Sequence, residues 1–219
     1  MSGKTPFWRR ASQVFDERAD EYDGWFTESL LFAIELAALR EIETPLAGPK
    51  LEIGVGPGRF ARELGIGFGL DPARAPLALA QRRGVRACQG LGEDLPFADQ
   101  RLGALFLLFT LCFLENPRRV FAECRRVLRP GGHLVVGMIV AQSPWGALLA
   151  RKKAAGHPFY RHAVFREPEA VEGWLGEVGL RVVERRASLR QPPDALREVE
   201  ASRAGECGNA GFAVLVAVR

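Results

Sequence analysis

Short apolar runs alternate with amphipathic stretches through residues 50–140, and this alternation predicts strands and helices in turn. Strands are predicted over 51–55, 66–71, 85–88, 102–109 and 133–140, and helices over 59–64, over 75–83 and from Asn116-Pro117 onward. The run 102–109 is apolar on both faces, which is typical of a central parallel strand covered by helices. Pro130-Gly131-Gly132 predicts the end of the third helix.

The two ends of the chain differ from this middle part. Residues 1–48 carry apolar side chains at helical spacing in two pieces, which predicts a helical N-terminal cap. Residues 141–166 mix aromatic and basic side chains, and we interpret them as a substrate insert. The remainder, 167–219, is expected to hold a helix over 167–178 and strands over 180–185 and 212–218, joined by a polar connection over 190–209 that is typical of an antiparallel pair.

This order predicts an α/β fold with a doubly wound, mostly parallel sheet of seven strands and an antiparallel edge pair. The N-terminal helices are expected to cover the ligand cleft. With 219 residues, of which 47% are hydrophobic, the chain fits a single domain over 1–219, built on a core over 50–140.

Composition and charge disfavour several classes of protein. The longest apolar stretch, 102–114, is shorter than the roughly 20 residues needed to span a bilayer. The N-terminus is too charged for a signal peptide, so we expect a cytoplasmic protein without a membrane span. The net charge of +4 permits nucleic-acid binding without indicating it, because the basic residues are spread along the chain. The four cysteines show no C-x-x-C spacing, so no metal site is expected.

The strongest local signal follows the first predicted strand. Gly54, Gly56 and Gly58 stand at alternate positions, where glycine lets the backbone turn sharply and approach a ligand closely. The next helix directs its positive N-terminal end at the same space. A dinucleotide site prefers G-x-G-x-x-G/A, whereas the sixth position here is Arg59. Glu52 would repel a pyrophosphate, but it suits a ligand that carries an ammonium and a sulfonium.

A second acid, Asp71, ends the second predicted strand, 17 residues after Gly54. A carboxylate at this place can accept hydrogen bonds from both ribose hydroxyls of an adenosine. The alternative is that Asp71 only caps the helix that follows Pro72. The two roles are compatible only if that helix starts late.

Six motifs in order resemble the class I S-adenosylmethionine-dependent methyltransferases, and within them the small-molecule type similar to the ubiquinone/menaquinone-biosynthesis methyltransferases. They are FDERADEYD (15–23), LEIGVGPGRF (51–60), GLD (69–71), GEDLPFAD (92–99), TLCFLENP (110–117) and ECRRVLRPGGHL (123–134). The resemblance covers residues 12–140. It implies a Rossmann-like methyltransferase fold, S-adenosylmethionine as cofactor, S-adenosylhomocysteine as product, and in-line methyl transfer to a small-molecule acceptor.

The resemblance also implies cofactor contacts on this chain. Gly54, Gly56 and Gly58 would hold the methionine part, with Glu52 positioning their loop. The further expected contacts are Arg59 at the methionine carboxylate, Asp71 at the ribose, Gly92, Glu93 and Asp94 at the adenine, Thr110 and Leu111 beside the transferring methyl, and Tyr22 closing over the cofactor. Tyr22 has the alternative of belonging only to the apolar stripe of its helix. The sequence departs from the family at Leu91, where many relatives carry an aspartate.

The catalytic residue stays unknown, because transfer from a sulfonium mainly requires alignment of the nucleophile and exclusion of water. Trp145, His157 and Tyr160 of the insert are candidate acceptor contacts. The alternative is that the insert is an amphipathic lid with solvated charges.

Two other functions are alternatives to methyl transfer. A nicotinamide-dependent oxidoreductase is disfavoured by Arg59 and Glu52. An RNA-modifying or nucleic-acid-binding protein is suggested by the pI of 9.1, but no RNA-binding module accompanies it. The expected partner is therefore a small-molecule acceptor, without metal, membrane span or nucleic acid, while a homodimer stays open.

Overall fold

The computed structural model describes residues 5–205 and 207–219, and eight strands of this part form one sheet. They are β1 (Lys50–Ile53), β2 (Phe68–Asp71), β3 (Arg86–Gln89), β4 (Leu102–Leu108), β5 (Leu128–Ile139), β6 (Arg181–Ser188), β7 (Arg203–Ala204) and β8 (Phe212–Val218). Their order is β3-β2-β1-β4-β5-β8-β6-β7, with β1 to β5 parallel and β8 antiparallel to both β5 and β6. The predicted α/β fold with a mostly parallel sheet is confirmed.

Helices cover both faces of this sheet. They are α1 (Phe7–Glu17), α2 (Ala19–Gly24), α3 (Leu30–Arg40), α4 (Arg59–Glu63), α5 (Arg74–Arg82), α6 (Pro117–Val127), α7 (Pro144–Ala154) and α8 (Pro168–Glu177). Central strand β4 is buried along its whole length. Leu105 and Leu107 belong to the core that includes α6 and α8, whereas Phe106 and Leu108 belong to the core that includes α3, α4 and α5. In the described ranges, no helix is long and apolar enough to cross a bilayer.

The sheet has one strand more than predicted. Strand β7 lies within the polar connection 190–209 and pairs with Arg186 and Ala187 of β6. It is two residues long and exposed, so no alternation of apolar and polar positions could reveal it.

The sequence predicts that Pro130-Gly131-Gly132 separates a helix from a strand. This prediction is wrong, because the segment lies inside β5. Helix α6 ends at Val127, because residues before a proline favour extended backbone. Leu128 pairs with Leu102 and His133 with Ala104, so the segment between them forms a bulge in the sheet.

Two helical segments also differ from the prediction. The first N-terminal piece consists of two helices, α1 and α2, separated at Arg18, whose φ of −131° is not helical. Helix α7 was not predicted within the insert, although Ser143-Pro144 carries the same start signal as Asn116-Pro117. The Ser143 side chain accepts a hydrogen bond of 3.0 Å from the Gly146 amide.

Candidate active site

The glycine-rich segment forms a tight loop between β1 and α4. Gly54 and Gly58 have φ of +74° and +77°, in the left-handed region that favours glycine. A Cβ at Gly54 would lie 2.1 Å from Thr110 Oγ1, and one at Gly58 would lie 2.9 Å from the Cα atom of Ala80. The loop therefore packs against the end of β4 and against α5 at distances that no side chain permits.

Asp71 lies at the end of β2 and fastens this loop. Its Oδ2 atom accepts a 2.9 Å hydrogen bond from the Gly56 amide, and its Oδ1 atom accepts a 2.8 Å bond from the Ala73 amide. Burial raises the pKa of Asp71 to about 6, although both amides oppose the shift. Helix α5 starts late, at Arg74, and each carboxylate oxygen keeps acceptor capacity for a further donor. The geometry thus accommodates both roles considered for Asp71.

Glu52 lies on β1 beneath the loop, with a relative exposure of 2%. Its Oε2 atom has no hydrogen-bond partner among the described residues. Burial raises the pKa of Glu52 well above its usual range, the nearby Asp71 charge adds to this effect, and the Ala61 amide opposes it. Glu52 is therefore buried behind the site, next to the Ala61 amide of α4, and is not part of the cavity wall described below.

A cavity of about 100 Å³, which we call the glycine-loop cavity, opens above the loop. Its wall includes Trp8, Ser12, Phe15, Tyr22, Gly54, Gly56, Asp71, Pro72, Pro76, Leu91, Gly92, Glu93, Phe109, Thr110 and Phe113. Pro72, Pro76 and Leu91 give it an apolar side next to the Asp71 carboxylate. An apolar surface beside a carboxylate is chemically suited to a flat base attached to a ribose.

A second cavity of about 190 Å³, which we call the aromatic cavity, is bounded by residues of α2, α3, α7 and the segments after β4 and β5. Its aromatic wall includes Phe15, Tyr22, Trp25, Phe26, Phe32, Phe109, Phe113, Trp145, Phe159, Tyr160 and Phe165, and its few polar members include Glu35, Cys112, Lys152 and Arg166. Phe15, Tyr22, Phe109 and Phe113 line both cavities. The two cavities therefore meet along these rings.

Phe109, at this junction, has an unusual backbone. Its φ of +57° is rare for a bulky side chain and costs about 1–3 kcal/mol. The ring stacks on Phe60 and Phe212, with centroid distances of 5.4 and 5.0 Å, and the amide donates a 2.8 Å hydrogen bond to the Gly137 carbonyl. These contacts hold the strained residue between the two cavities.

Helices α1 and α2 are fastened over the glycine loop by two acids of the FDERADEYD motif. Asp16 Oδ1 accepts a 2.7 Å hydrogen bond from the Ala75 amide, at the start of α5. Asp23 binds Arg59 through two bonds of 2.8 and 2.7 Å, and Arg83 through one of 2.7 Å. The N-terminal helices thus lie as a closed cover, as the sequence predicts.

Some expected cofactor contacts do not line the glycine-loop cavity. The guanidinium of Arg59 lies on Asp23 instead, because the α2 carboxylate is within ion-pair distance. Asp94 is exposed in a turn that bridges back to Leu91, and Gly58 packs on α5. Leu111 lines the aromatic cavity.

Two of the three candidate acceptor contacts line the aromatic cavity. Trp145 is held there by a 2.9 Å hydrogen bond from its Nε1 atom to the Gln191 carbonyl. Burial raises the pKa of Tyr160, which lines the same wall. His157 lies behind that wall, with its ring centroid 4.9 Å from that of Tyr160 and its Nδ1 atom buried without a partner among the described residues.

Sequence reasoning missed several wall residues. Trp8 and Ser12 of α1 line the glycine-loop cavity, and Phe109 lines both cavities. Glu35 of α3 lines the aromatic cavity, and a signal for it was present, because it is the one acid within the apolar stretch 30–39. The described residues contain no cluster of three or more His, Cys, Asp or Glu side chains that could hold a metal ion.

The fold and the site together define a methyltransferase, and comparison with known proteins agrees. A family described as methyltransferase domain matches residues 51–136. An uncharacterised protein of Mycobacterium tuberculosis is 43% identical over 95% of this chain and 74% of its own length. A solved structure from Thermotoga maritima, titled as a SAM-dependent methyltransferase and possible histamine N-methyltransferase, has a TM-score of 0.88 and 29% identity over 97% of this chain and 99% of its own.

Relatives matched over less of the chain carry other acceptors in their names. Demethylmenaquinone methyltransferase of Thermotoga maritima is 32% identical over 62% of this chain and 63% of its own length. The tRNA U34 carboxymethyltransferase of Methylococcus capsulatus is 31% identical over 63% and 46%.

The chain belongs to the class I S-adenosylmethionine-dependent methyltransferases. It is a methyltransferase enzyme with S-adenosylmethionine as cofactor, and the oxidoreductase alternative is set aside.

Proposed function

We propose that the protein transfers the methyl group of S-adenosylmethionine, bound in the glycine-loop cavity, to a small molecule held in the aromatic cavity. One observation carries this proposal: the two cavities meet at Tyr22, Phe109 and Phe113. A donor and an acceptor that occupy adjoining cavities can react directly, without release of an intermediate.

Residues of the glycine-loop cavity are suited to hold the cofactor. Asp71 would bind the ribose hydroxyls, and the backbone of Gly54 and Gly56 would hold the methionine part. Leu91 and Glu93 would lie against the adenine. When bound, the cofactor supplies a methyl group on a sulfonium, whose thioether is a good leaving group.

The chain itself then has to orient the acceptor and keep water out. The aromatic rings around Phe109 do both, and orientation alone can contribute up to about 7–11 kcal/mol in the best cases. Burial raises the pKa of Tyr22 and Tyr160, so both hydroxyls stay protonated near neutral pH and are available to donate a hydrogen bond to a ligand. The Cys112 thiol also stays protonated, because burial raises its pKa to about 12.

The relatives' names do not agree on an acceptor, since they include a quinone precursor, a tRNA base and an amine. The choice of a small molecule rests on the cavity. Its wall is mainly aromatic, with a few polar side chains, as is usual for a site that binds a small molecule. Recognition of RNA instead relies on exposed basic and aromatic surfaces.

A labelled-methyl experiment tests this proposal. The protein is incubated with methyl-labelled cofactor and, separately, with a small-metabolite extract and with total RNA. We expect label in the metabolite fraction only.

Leu148→Trp fills the aromatic cavity from α7, and Ala147→Trp on the exposed side of the same helix is the matched control. We expect Leu148→Trp to abolish transfer while both variants bind S-adenosylhomocysteine like the wild type. Label in RNA, or full transfer by Leu148→Trp, would contradict the proposal.

A further inference from the structure

Glu35 stands out in the wall of the aromatic cavity. It lies on α3 between Ile34 and Leu36 of the core, and its relative exposure is only 6%. Within residues 5–205 and 207–219, no group donates a hydrogen bond to its carboxylate or forms an ion pair with it. A buried carboxylate normally has a cation or several donors beside it.

Burial of the Glu35 carboxyl disfavours its ionised form, and no neighbouring group among the described residues offsets this effect. Burial raises the pKa of Glu35 well above its usual range, and no neighbouring cation or donor opposes the shift. The tyrosine and cysteine side chains of the same wall, Tyr22, Tyr160 and Cys112, stay neutral near pH 7, because burial raises the pKa of each. Glu35 is therefore a carboxyl group, either ionised or protonated, that faces a mainly apolar space.

The rings around Glu35 favour a positive ligand group. Trp25, Phe26, Phe32 and Tyr160 line the same cavity, and the faces of aromatic rings attract cations, most strongly where water is excluded. A carboxylate within a wall of aromatic rings is the combination that binds an ammonium group. The remaining apolar wall accommodates a hydrocarbon or aryl body.

Two basic side chains also line the aromatic cavity, and they could bind an anionic ligand. Lys152 is exposed on α7, where solvent already hydrates its ammonium. Arg166 lines the cavity too, and its Nε atom is buried without a hydrogen-bond partner among the described residues, but its guanidinium lies over the ring of Trp174 on α8, 5.4 Å from the ring centroid. Glu35 has neither a cation nor a hydrogen-bond donor beside it among the described residues, whereas the Arg166 guanidinium has the Trp174 ring and the Lys152 ammonium has solvent. We therefore take Glu35 as the group that sets the ligand's charge.

We propose that the acceptor is a small alkyl- or arylalkylamine, bound as its ammonium ion by Glu35 within the aromatic cavity. The Glu35 carboxylate would accept one proton from this ammonium, so that the nitrogen lone pair forms the new bond to the methyl carbon while the bond between that carbon and the sulfonium sulfur breaks. Glu35 is thus a specificity-determining residue of the acceptor site. This inference rests on the proposed function, because it takes the aromatic cavity as the acceptor site.

Matched ligands that differ only in charge test this assignment. Phenethylamine, 2-phenylethanol and phenylacetate are titrated by calorimetry into the protein, with and without S-adenosylhomocysteine. We expect the amine to bind at least about 10-fold more tightly than the alcohol, since a hydrogen bond between two charged groups is stronger than one that involves a neutral hydroxyl. In Glu35→Gln this preference falls to less than about twofold, while the affinity for S-adenosylhomocysteine is unchanged.

Proton release gives a second readout that a purely structural role of Glu35 would not change. At a pH below the raised pKa of Glu35, binding of an ammonium ion ionises the carboxyl and releases a proton to the buffer. The binding heat then depends on the ionisation enthalpy of the buffer in the wild type and not in Glu35→Gln. The same dependence in both proteins would overturn the proposal.

Equal or tighter binding of the alcohol would also overturn the amine assignment. Preference for phenylacetate would overturn it as well, and would mean that Lys152 and Arg166 bind the ligand. If the wild-type protein does not bind S-adenosylhomocysteine, this result would instead count against the proposed function. The two failures are therefore distinguishable.

Discussion

The glycine-loop cavity and the aromatic cavity adjoin one another but are built in different ways. The first is built on the backbone at the ends of β1, β2 and β4, with the Asp71 carboxylate anchored by two amides, and side chains of α1 and α2 cover it. The second is walled by side chains from α2, α3, α7 and the chain after α7. Backbone tolerates little change, whereas side chains are replaceable one by one. The acceptor site can therefore vary while the cofactor site stays the same.

The largest expected effect separates the two cavities through Asp71. Asp71→Ala removes the ribose acceptor, and we expect the affinity for S-adenosylhomocysteine to fall roughly 100-fold or more, because two charge-assisted hydrogen bonds are lost. Phenethylamine binding, measured by the same calorimetry, is the internal control and should change less than about twofold. A cofactor affinity within a few-fold of the wild type would remove Asp71 from the site.

The second effect concerns the backbone character of the glycine loop. Gly54→Ala places a Cβ within 2.1 Å of Thr110 Oγ1, whereas Gly65→Ala has a similar φ of +63° and open space around it. We expect urea unfolding to show about 2 kcal/mol more destabilisation for Gly54→Ala than for this control, because the clash adds to the shared backbone strain. Equal losses would mean that the close approach of the loop to β4 does not matter.

The third effect tests how firmly the cover over the first cavity is held. Asp23→Asn removes the charge that binds Arg59 and Arg83, so α2 should loosen. We expect S-adenosylhomocysteine to dissociate about 5- to 10-fold faster, as judged by stopped-flow. Glu21→Gln, which breaks only the exposed pair with Arg18, is the control and should leave the rate unchanged.

The smallest effect concerns how the buried Glu35 carboxyl changes the unfolding free energy of the protein with pH. Because the pKa of Glu35 is raised in the folded protein, the folded state binds a proton more tightly than the unfolded chain. Stability from this group is present at acidic pH and is lost as pH rises through the raised pKa. We expect the unfolding free energy of Glu35→Gln to exceed that of the wild type at pH 8 and to match it near pH 4.

The exposed Glu28→Gln serves as the control for this pH series, and its unfolding free energy should follow the wild type throughout. A wild type that is more stable than Glu35→Gln at pH 8 would mean that the carboxylate has a partner in the folded protein.

The difference between the two cavities also explains what the sequence predicted. The glycine loop and Asp71 follow from short motifs, since turn geometry and strand ends are encoded within a few residues. Phe109 was missed because its positive φ and its place between the two cavities arise only in the folded chain. Glu35 was missed although it is the one acid within residues 30–39, because its importance depends on the aromatic cavity that other segments build around it. Arg59 shows the same limit: its motif predicted a cofactor contact, but its partner Asp23 lies 36 residues away in the chain.

The most direct test of the account is a crystal structure of the protein with S-adenosylhomocysteine and phenethylamine. We expect the ribose hydroxyls on Asp71, the sulfur at the junction beside Phe109, and the amine nitrogen on Glu35. A cofactor product bound with its sulfur turned away from the aromatic cavity would contradict the claim that the two cavities form one reaction site.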